Sequence, residues 1–433
     1  MTSITRVGPI QLAEGVQKHH FWTFMYGAFV CVGMLAGMNF LQSYVVIVNL
    51  DIPPGEQGAV TGDLAFWTEV VAILLIVPFG ILSDRIGRKA VMVFGTLMLA
   101  LGYSLFPFAT SILELTLYRI VFAVGAAALS ALIATVGNDY TRDASRGRLF
   151  GFSGVANGLG VIFMSVVVAG IPAVLTSRGV APVTAGIVMF LVAAALCLIT
   201  AFVFAIGLKS GTGVKQEARP PFRELLVSGL RAGANPRIAL SYGAAFAGRS
   251  DNAIKGLFIS LWAIQLAQAS ALPVSDALAG AGRLMGIMGA VLLVWIPVFG
   301  FILDKVNRIS GMAVAMGLAS VGYLAMGLVD DPLAPKNIPL FVLLAIGQGS
   351  AIIASVTLVG QEAKPAERGT VVATSGLFGA VGILCAAVIG GRLFDSVGPA
   401  APFMLIGAFQ LLLCICALVV RFNKHGSYDG TDK

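Results

Sequence analysis

A chain of 433 residues that is 58% hydrophobic and only 11% charged lies far from a soluble domain, for which about 45–50% and about 25% are usual. That composition excludes a large soluble catalytic body. It has no phosphate-cradling Gly-Lys-Ser/Thr loop, metal-ligand spacing or nucleophile-and-base arrangement, so an ATP-driven pump and a membrane-embedded enzyme are disfavoured and no cofactor is expected.

At about 20 apolar residues per crossing, twelve membrane spans are predicted. The first 18 residues are polar and read as a tail, and the apolar run that follows is too long for a signal-peptide core. The first six spans cover 21–49, 59–82, 90–108, 113–137, 149–176 and 181–207. A connection over 208–237 follows, in which Phe222, Leu225, Leu226 and Leu230 fall at helical spacing beside Arg223 and Arg231, the pattern of a short amphipathic helix. The remaining spans cover 238–267, 275–303, 309–329, 338–360, 370–391 and 400–420. The predicted organisation is therefore a six-span domain (1–207), a linker (208–237) and a second six-span domain with a tail (238–433). High glycine, 52 residues, fits helices that pack closely in lipid. Cys31, Cys197, Cys385, Cys414 and Cys416 all fall inside spans and read as small packing residues. His19, His20 and His425 fall in the tails.

Basic residues fix the orientation. Outside the spans, only Arg178, Lys336 and Arg392 fall on the side away from the termini. The positive-inside rule then makes both termini cytoplasmic. The same asymmetry explains the net charge of +7, which is not a nucleic-acid footprint.

Between the second and third spans lies Gly80-Ile-Leu-Ser-Asp84-Arg85-Ile-Gly87-Arg88-Lys89. A weaker copy follows 220 positions on, Gly300-Phe-Ile-Leu-Asp304-Lys305-Val-Asn307-Arg308, with Asn307 in place of a glycine. Further turns, Asp139 to Arg148 and Gln361 to Gly369, each end in an acid followed by Arg-Gly. This duplicated pattern resembles the major facilitator superfamily, whose signature Gly-x-Leu-x-Asp-Arg-x-Gly-Arg-Lys joins the second and third helices on the cytoplasmic side. Leu117-Tyr-Arg119 through Gly125 also resembles the family's Arg-x5-Gly motif. The resemblance implies an all-α fold of two pseudo-symmetric six-helix bundles. It also implies gating roles for Gly80, Asp84, Arg85, Gly87, Arg88, Asp304 and Arg308, and for Arg119. From the residues themselves, Gly80 suits a close helix approach and Gly87 a sharp reversal. Asp84 suits either backbone N–H groups at a helix start or an arginine of a neighbouring helix.

Charges within the spans are functional candidates, because each costs about 2.5–3.5 kcal/mol at the bilayer centre. They are Asp63, Glu69, Arg119, Arg249, Asp251, Lys255 and Arg283. Counting about 1.5 Å per residue, Glu69, Arg119, Arg249, Arg283 and the polar Gln348 lie about 10–17 Å deep. That common level is expected of a central cavity. Asp251 and Lys255 stand one helical turn apart and can neutralise each other. Arg249 has no such partner on its own helix and shares a face with Asn252 and Gly256. Glu69 is the chief structural partner expected for Arg119. Full pairing leaves one cation over, which favours an anionic or zwitterionic solute. Tyr44, Trp67, Asn39 and Gln42 complete the expected mixed pocket.

The function read from this pattern is alternating-access secondary transport, proton-coupled, of a small organic solute. The proton carrier is Glu69, with Asp63 and Asp251 behind it. The expected protein is a monomeric, multi-pass protein of the cell membrane. A proton-antiporting drug or metabolite exporter of the same superfamily is the rival. Its helix-five signature Gly-x3-Gly-Pro-x2-Gly-Gly is not matched by Gly151 to Gly160, which lacks the proline. A channel or a transport-dead receptor stands further off, because two gate-like turns argue against an open pore.

Overall fold

The computed structural model describes residues 5–211, 222–362 and 368–422; Lys364, Glu367 and His425 of the predicted turn and tail lie outside them. The chain begins with a hairpin of β1 (Arg6–Val7) and β2 (Ile10–Gln11). The helices are α1 (Lys18–Tyr44), α2 (Gln57–Ile86), α3 (Arg88–Leu105), α4 (Ile112–Tyr140), α5 (Asp143–Phe163), α6 (Ile171–Thr176), α7 (Pro182–Gly207) and α8 (Phe222–Ala232). After these come α9 (Pro236–Ala269), α10 (Val274–Leu303), α11 (Arg308–Leu324), α12 (Ile338–Glu362), α13 (Arg368–Ser396) and α14 (Ala401–Phe422). A π-helical turn at Met164–Val168 carries α5 into α6, so Asp143–Thr176 forms one crossing.

Among the described residues, eleven helices are long and apolar enough to span a membrane. The twelfth, α9, has 34 residues and the length to spare, but it carries Arg237, Arg249, Asp251 and Lys255. The twelve-helix layout read from hydropathy is therefore present, with the charge concentrated in one helix. The amphipathic helix expected in the linker is α8.

The chain forms two compact units. One holds the described residues up to Pro53, those from Leu64 to 211, and Ala267–Gly286; the other holds Pro54–Asp63, 222–Leu266 and Ile287–422. Each unit uses the same packing. In the first, α3 lies against α4 and α7; in the second, α11 lies against α12 and α14. Glycines at matching positions explain the close contact, since small residues let backbones approach where no hydrophobic force drives helices together. A Cβ on Gly102 would stand 2.6 Å from Phe122 Cβ, and one on Gly322 would stand 2.7 Å from Leu344 Cα. Pro78 and Pro297 sit inside α2 and α10, two residues before Gly80 and three before Gly300.

Residues 5–18 are more than a polar tail. Ile10, Leu12 and Val16 are buried. Leu12 bridges to Thr141, and the Ala13 N–H donates to the Tyr140 carbonyl at 3.0 Å. The hairpin thus closes over the ends of α4 and α5. His19 and His20, expected in a tail, lie in the first turn of α1. The expected turn from Asp139 to Arg148 shortens to Thr141 and Arg142, because Asp143 already opens α5. Arg146, Gly147 and Arg148 are helical.

Candidate functional site

The signature segment is a near-continuous helix broken at one residue. α2 runs through Ile86, so Asp84 and Arg85 occupy its last turn rather than a loop. Gly87 alone makes the reversal, at φ +98°, a region L side chains rarely adopt. Arg88 then opens α3 and gathers three partners: Asp84, the Ser83 hydroxyl, and Asp139 of α4 at 3.1 Å. Of the two roles open to Asp84, partnership with an arginine of the next helix is the one adopted. The close approach expected at Gly80 is absent, since a Cβ there would meet nothing within 4 Å, and Gly300 is the same. In the second copy Asp304 lies 3.9 Å from Arg308. Asn307 replaces the expected glycine because it caps α11: its side-chain oxygen accepts from the Ile309 N–H at 3.1 Å.

In the first unit Arg119 is fully buried in α4. Its Nε donates to Thr68 Oγ1 at 2.8 Å, and a terminal nitrogen donates to Asn39 Oδ1. Both acceptors are neutral. The other terminal nitrogen is buried without a hydrogen-bond partner, and the guanidinium lies 5.0 Å from the Phe122 ring centre. The expected bonding to Glu69 is replaced by its neighbour Thr68, which the helical turn aims at α4; Glu69 itself is half-buried. In the same unit Arg283 of α10 is exposed.

In the second unit the charges of α9 part company. Asp251 is fully buried, and Gln410 Nε2 of α14 donates to its two carboxylate oxygens at 2.7 and 2.6 Å. The Tyr323 hydroxyl donates to the Asp251 carbonyl at 3.1 Å. Lys255 donates to Gln348 Oε1 at 2.8 Å. The expected Asp251–Lys255 pair is therefore replaced by two separate hydrogen bonds, Asp251 accepting from the Gln410 amide and Lys255 donating to the Gln348 amide oxygen, each across to another helix. Arg249, Asn252 and Gly256 do share a face, and Arg249 is exposed on it, with its stem against Gly379 of α13. Among the described residues Arg249 forms no ion pair or side-chain hydrogen bond.

Asp63 forms an ion pair with Arg392 at 2.8 Å, which suits its place near a helix end. Asp395 accepts the Gly58 and Ala59 N–H groups at 2.8 and 2.7 Å, satisfying donors at the start of α2. Of the residues expected to complete a mixed pocket, the Tyr44 hydroxyl donates to the Pro182 carbonyl, Asn39 accepts from Arg119, and Trp67 is exposed. Sequence reasoning missed Gln410, Thr68 and Asp395. For Gln410 a signal existed, because it is the one amide in the apolar α14.

Residues 24–335 match the Major Facilitator Superfamily. The chain belongs to that superfamily. It is 31% identical over 428 residues to the magnetosome protein MamH of Paramagnetospirillum magneticum, covering 96% of this chain and 95% of MamH. It is 27% identical over 419 residues to the magnetosome protein MamZ of the same organism, covering 93% of this chain and 63% of that longer protein. A crystal structure of the nucleoside transporter NupG superposes with a TM-score of 0.74 at 16% identity, over 94% of this chain and 100% of NupG. This superfamily member thus has the fold of its transporters and is a multi-pass membrane protein.

Proposed function

We propose that this protein is a proton-coupled secondary transporter that moves a small organic solute, an anionic one by preference, by alternating access, with both termini cytoplasmic. The carrying observation is Arg249, a guanidinium within a membrane crossing, exposed and with no ion pair among the described residues. A cation at that depth is costly unless something neutralises it. Arg119 in the other unit supports the same reading, since two neutral acceptors hold it and a buried nitrogen is left over. A carboxylate is the group that a planar guanidinium binds through two parallel hydrogen bonds.

The proton is carried on Glu69, beside the Thr68 that holds Arg119; Asp251, buried against Gln410, is the second acid for that role. Asp63 is set aside because Arg392 takes it up. Basic residues on the side of the termini support the orientation. The similarity to two magnetosome proteins supports searching for this chain in a magnetosome membrane as well as the cell membrane, by fractionation and immunoblotting.

The deciding experiment measures uptake of labelled mono- and dicarboxylates into proteoliposomes, with and without a pH gradient. Wild type should accumulate at least one of them only with the gradient. Glu69→Gln should abolish accumulation while exchange at equal pH survives. Transport of carboxylates that ignores the gradient would overturn proton coupling, and a panel that gives no saturable transport would overturn the anionic substrate.

A further inference from the structure

The second unit contains a cleft of about 400 Å³ that no gating or transport role accounts for. Its walls include Leu230 of the linker helix α8, Ala239, Tyr242 and Phe246 of α9, Phe378 of α13, and Phe409 of α14. The walls are built to stay open. Tyr242 stacks on Phe378 at 5.0 Å, and Phe246 lies 5.1 Å from Phe409, so the rings brace one another. The Tyr242 hydroxyl donates to the Gly229 carbonyl at 2.8 Å, which pins α8 across the end of the cleft. The first unit has a crevice between its own first, fifth and sixth crossings, lined by Tyr26, Phe29 and Phe163, but of only about 90 Å³.

We propose that this cleft binds one acyl chain of an anionic phospholipid from the cytoplasmic leaflet, with its phosphate at Arg231. Three observations point to that occupant. The volume falls within the roughly 300–1,000 Å³ of small-molecule sites, and the lining is apolar and aromatic. Phe246 and Phe378 each stand ten residues into their helices, about 15 Å along the axis from their first turns, a reach on the scale of half of a hydrocarbon core about 30 Å thick. Arg231 stands between Leu230 and Gly233, both of which line the cleft. It is exposed and is followed by Arg237 in the first turn of α9. The exposed Val227 and Leu230 of α8 give that helix the apolar side of an interfacial anchor with a basic flank. The inference is independent of substrate and coupling; it rests on the membrane crossing and its orientation.

The test uses full-length protein in neutral detergent, titrated with dioleoyl phosphatidylglycerol or dioleoyl phosphatidylcholine and read by native mass spectrometry. Wild type should bind the glycerol lipid at least fivefold more tightly than the choline lipid. Arg231→Gln should lower phosphatidylglycerol affinity to the phosphatidylcholine level, and Ala239→Phe, which fills the cleft, should weaken both at least tenfold. Equal binding of the two lipids by wild type, or unchanged selectivity in Arg231→Gln, would show annular lipid only. Full lipid binding by a well-folded Ala239→Phe protein would place the lipid elsewhere and also overturn the proposal. If Ala239→Phe does not fold, Arg231→Gln alone decides the outcome, since it alters an exposed side chain.

Discussion

Tyr103 and Tyr323 stand 220 positions apart and make the same bond in different units: each, fully buried, donates its hydroxyl to a backbone carbonyl of the first helix of its half, Met34 at 2.7 Å and Asp251 at 3.1 Å. The repeat therefore extends below the glycine turns to individual buried hydrogen bonds. Tyr103→Phe and Tyr323→Phe should each lower stability by about 0.6 kcal/mol, and by at most about 1.7, the range for such bonds within membrane bundles. Thermal midpoints in detergent measure this, and they should fall by similar amounts. A fall for one variant alone would mean the two bonds are not equivalent.

The two turns should both accept glycine better than alanine, for different reasons. Gly87→Ala forces a Cβ into a nearly glycine-only region and to within 2.9 Å of the Gly211 carbonyl, which costs about 1–3 kcal/mol. Asn307→Ala removes the cap of α11 at about 1 kcal/mol, whereas Asn307→Gly should cost only a few tenths. Equal losses for the two Asn307 variants would deny the cap its role.

Arg88 holds two acids from different helices, so the acids should show coupling. Asp84→Asn leaves Arg88 with Asp139, and Asp139→Asn leaves it with Asp84. Each single change should shift cytoplasmic-side cysteine labelling modestly. The double change should exceed the sum by about 0.5–3 kcal/mol of conformational bias. Strict additivity would make the Arg88 cluster two independent contacts.

Arg249→Ala should raise the KM for a carboxylate substrate at least tenfold with little change in protein yield. Arg249→Lys should rescue it only partly, because an ammonium cannot offer a planar fork. By contrast, Lys255→Met removes the donor to the buried Gln348 Oε1 and should lower stability by about 1–3 kcal/mol, the cost of an unsatisfied buried acceptor, visible as loss of monodisperse protein. A normal KM in Arg249→Ala would remove Arg249 from the binding role.

Asp330 lies outside the crossings, where the Lys336 ammonium and the Asn337 amide hold its carboxyl well below the usual carboxylate range. A depressed folded-state pKa contributes stability above the unfolded value, about 3.9, and that contribution is lost as pH falls toward the folded value. Asp330→Asn should therefore melt below wild type at pH 7, and the two should converge on acidification below about pH 4. A gap that stays constant with pH would mean the loop is held by the neutral bonds alone.

The crossings were legible because hydropathy is local, and even the charge-rich α9 declared itself by length. Arg249 and Arg119 stood out as charges within long apolar segments. What the linear chain hid was partner choice. Asp251 bonds Gln410, 159 positions away, in preference to the lysine one turn along, because helix packing rather than spacing decides which donor faces a buried carboxylate. The glycine at 80 misled for the converse reason: a motif position does not say whether a neighbour is there. The buried hairpin at the start was hidden by its polar composition, since three apolar side chains, Ile10, Leu12 and Val16, suffice to anchor it.

That hairpin also sets an order of events during synthesis. Leu12 is translated 129 positions before Thr141, the residue it bridges, a delay of roughly 6–26 s at about 5–20 residues per second. Through that interval α1 to α4 must enter the membrane while the opening strands wait without their partner. The hairpin can close only after the fourth crossing has been delivered. Its docking is therefore a late step of biogenesis performed by residues made before the first crossing, and a bulky moiety fused ahead of Thr5 would be carried through the whole of that wait.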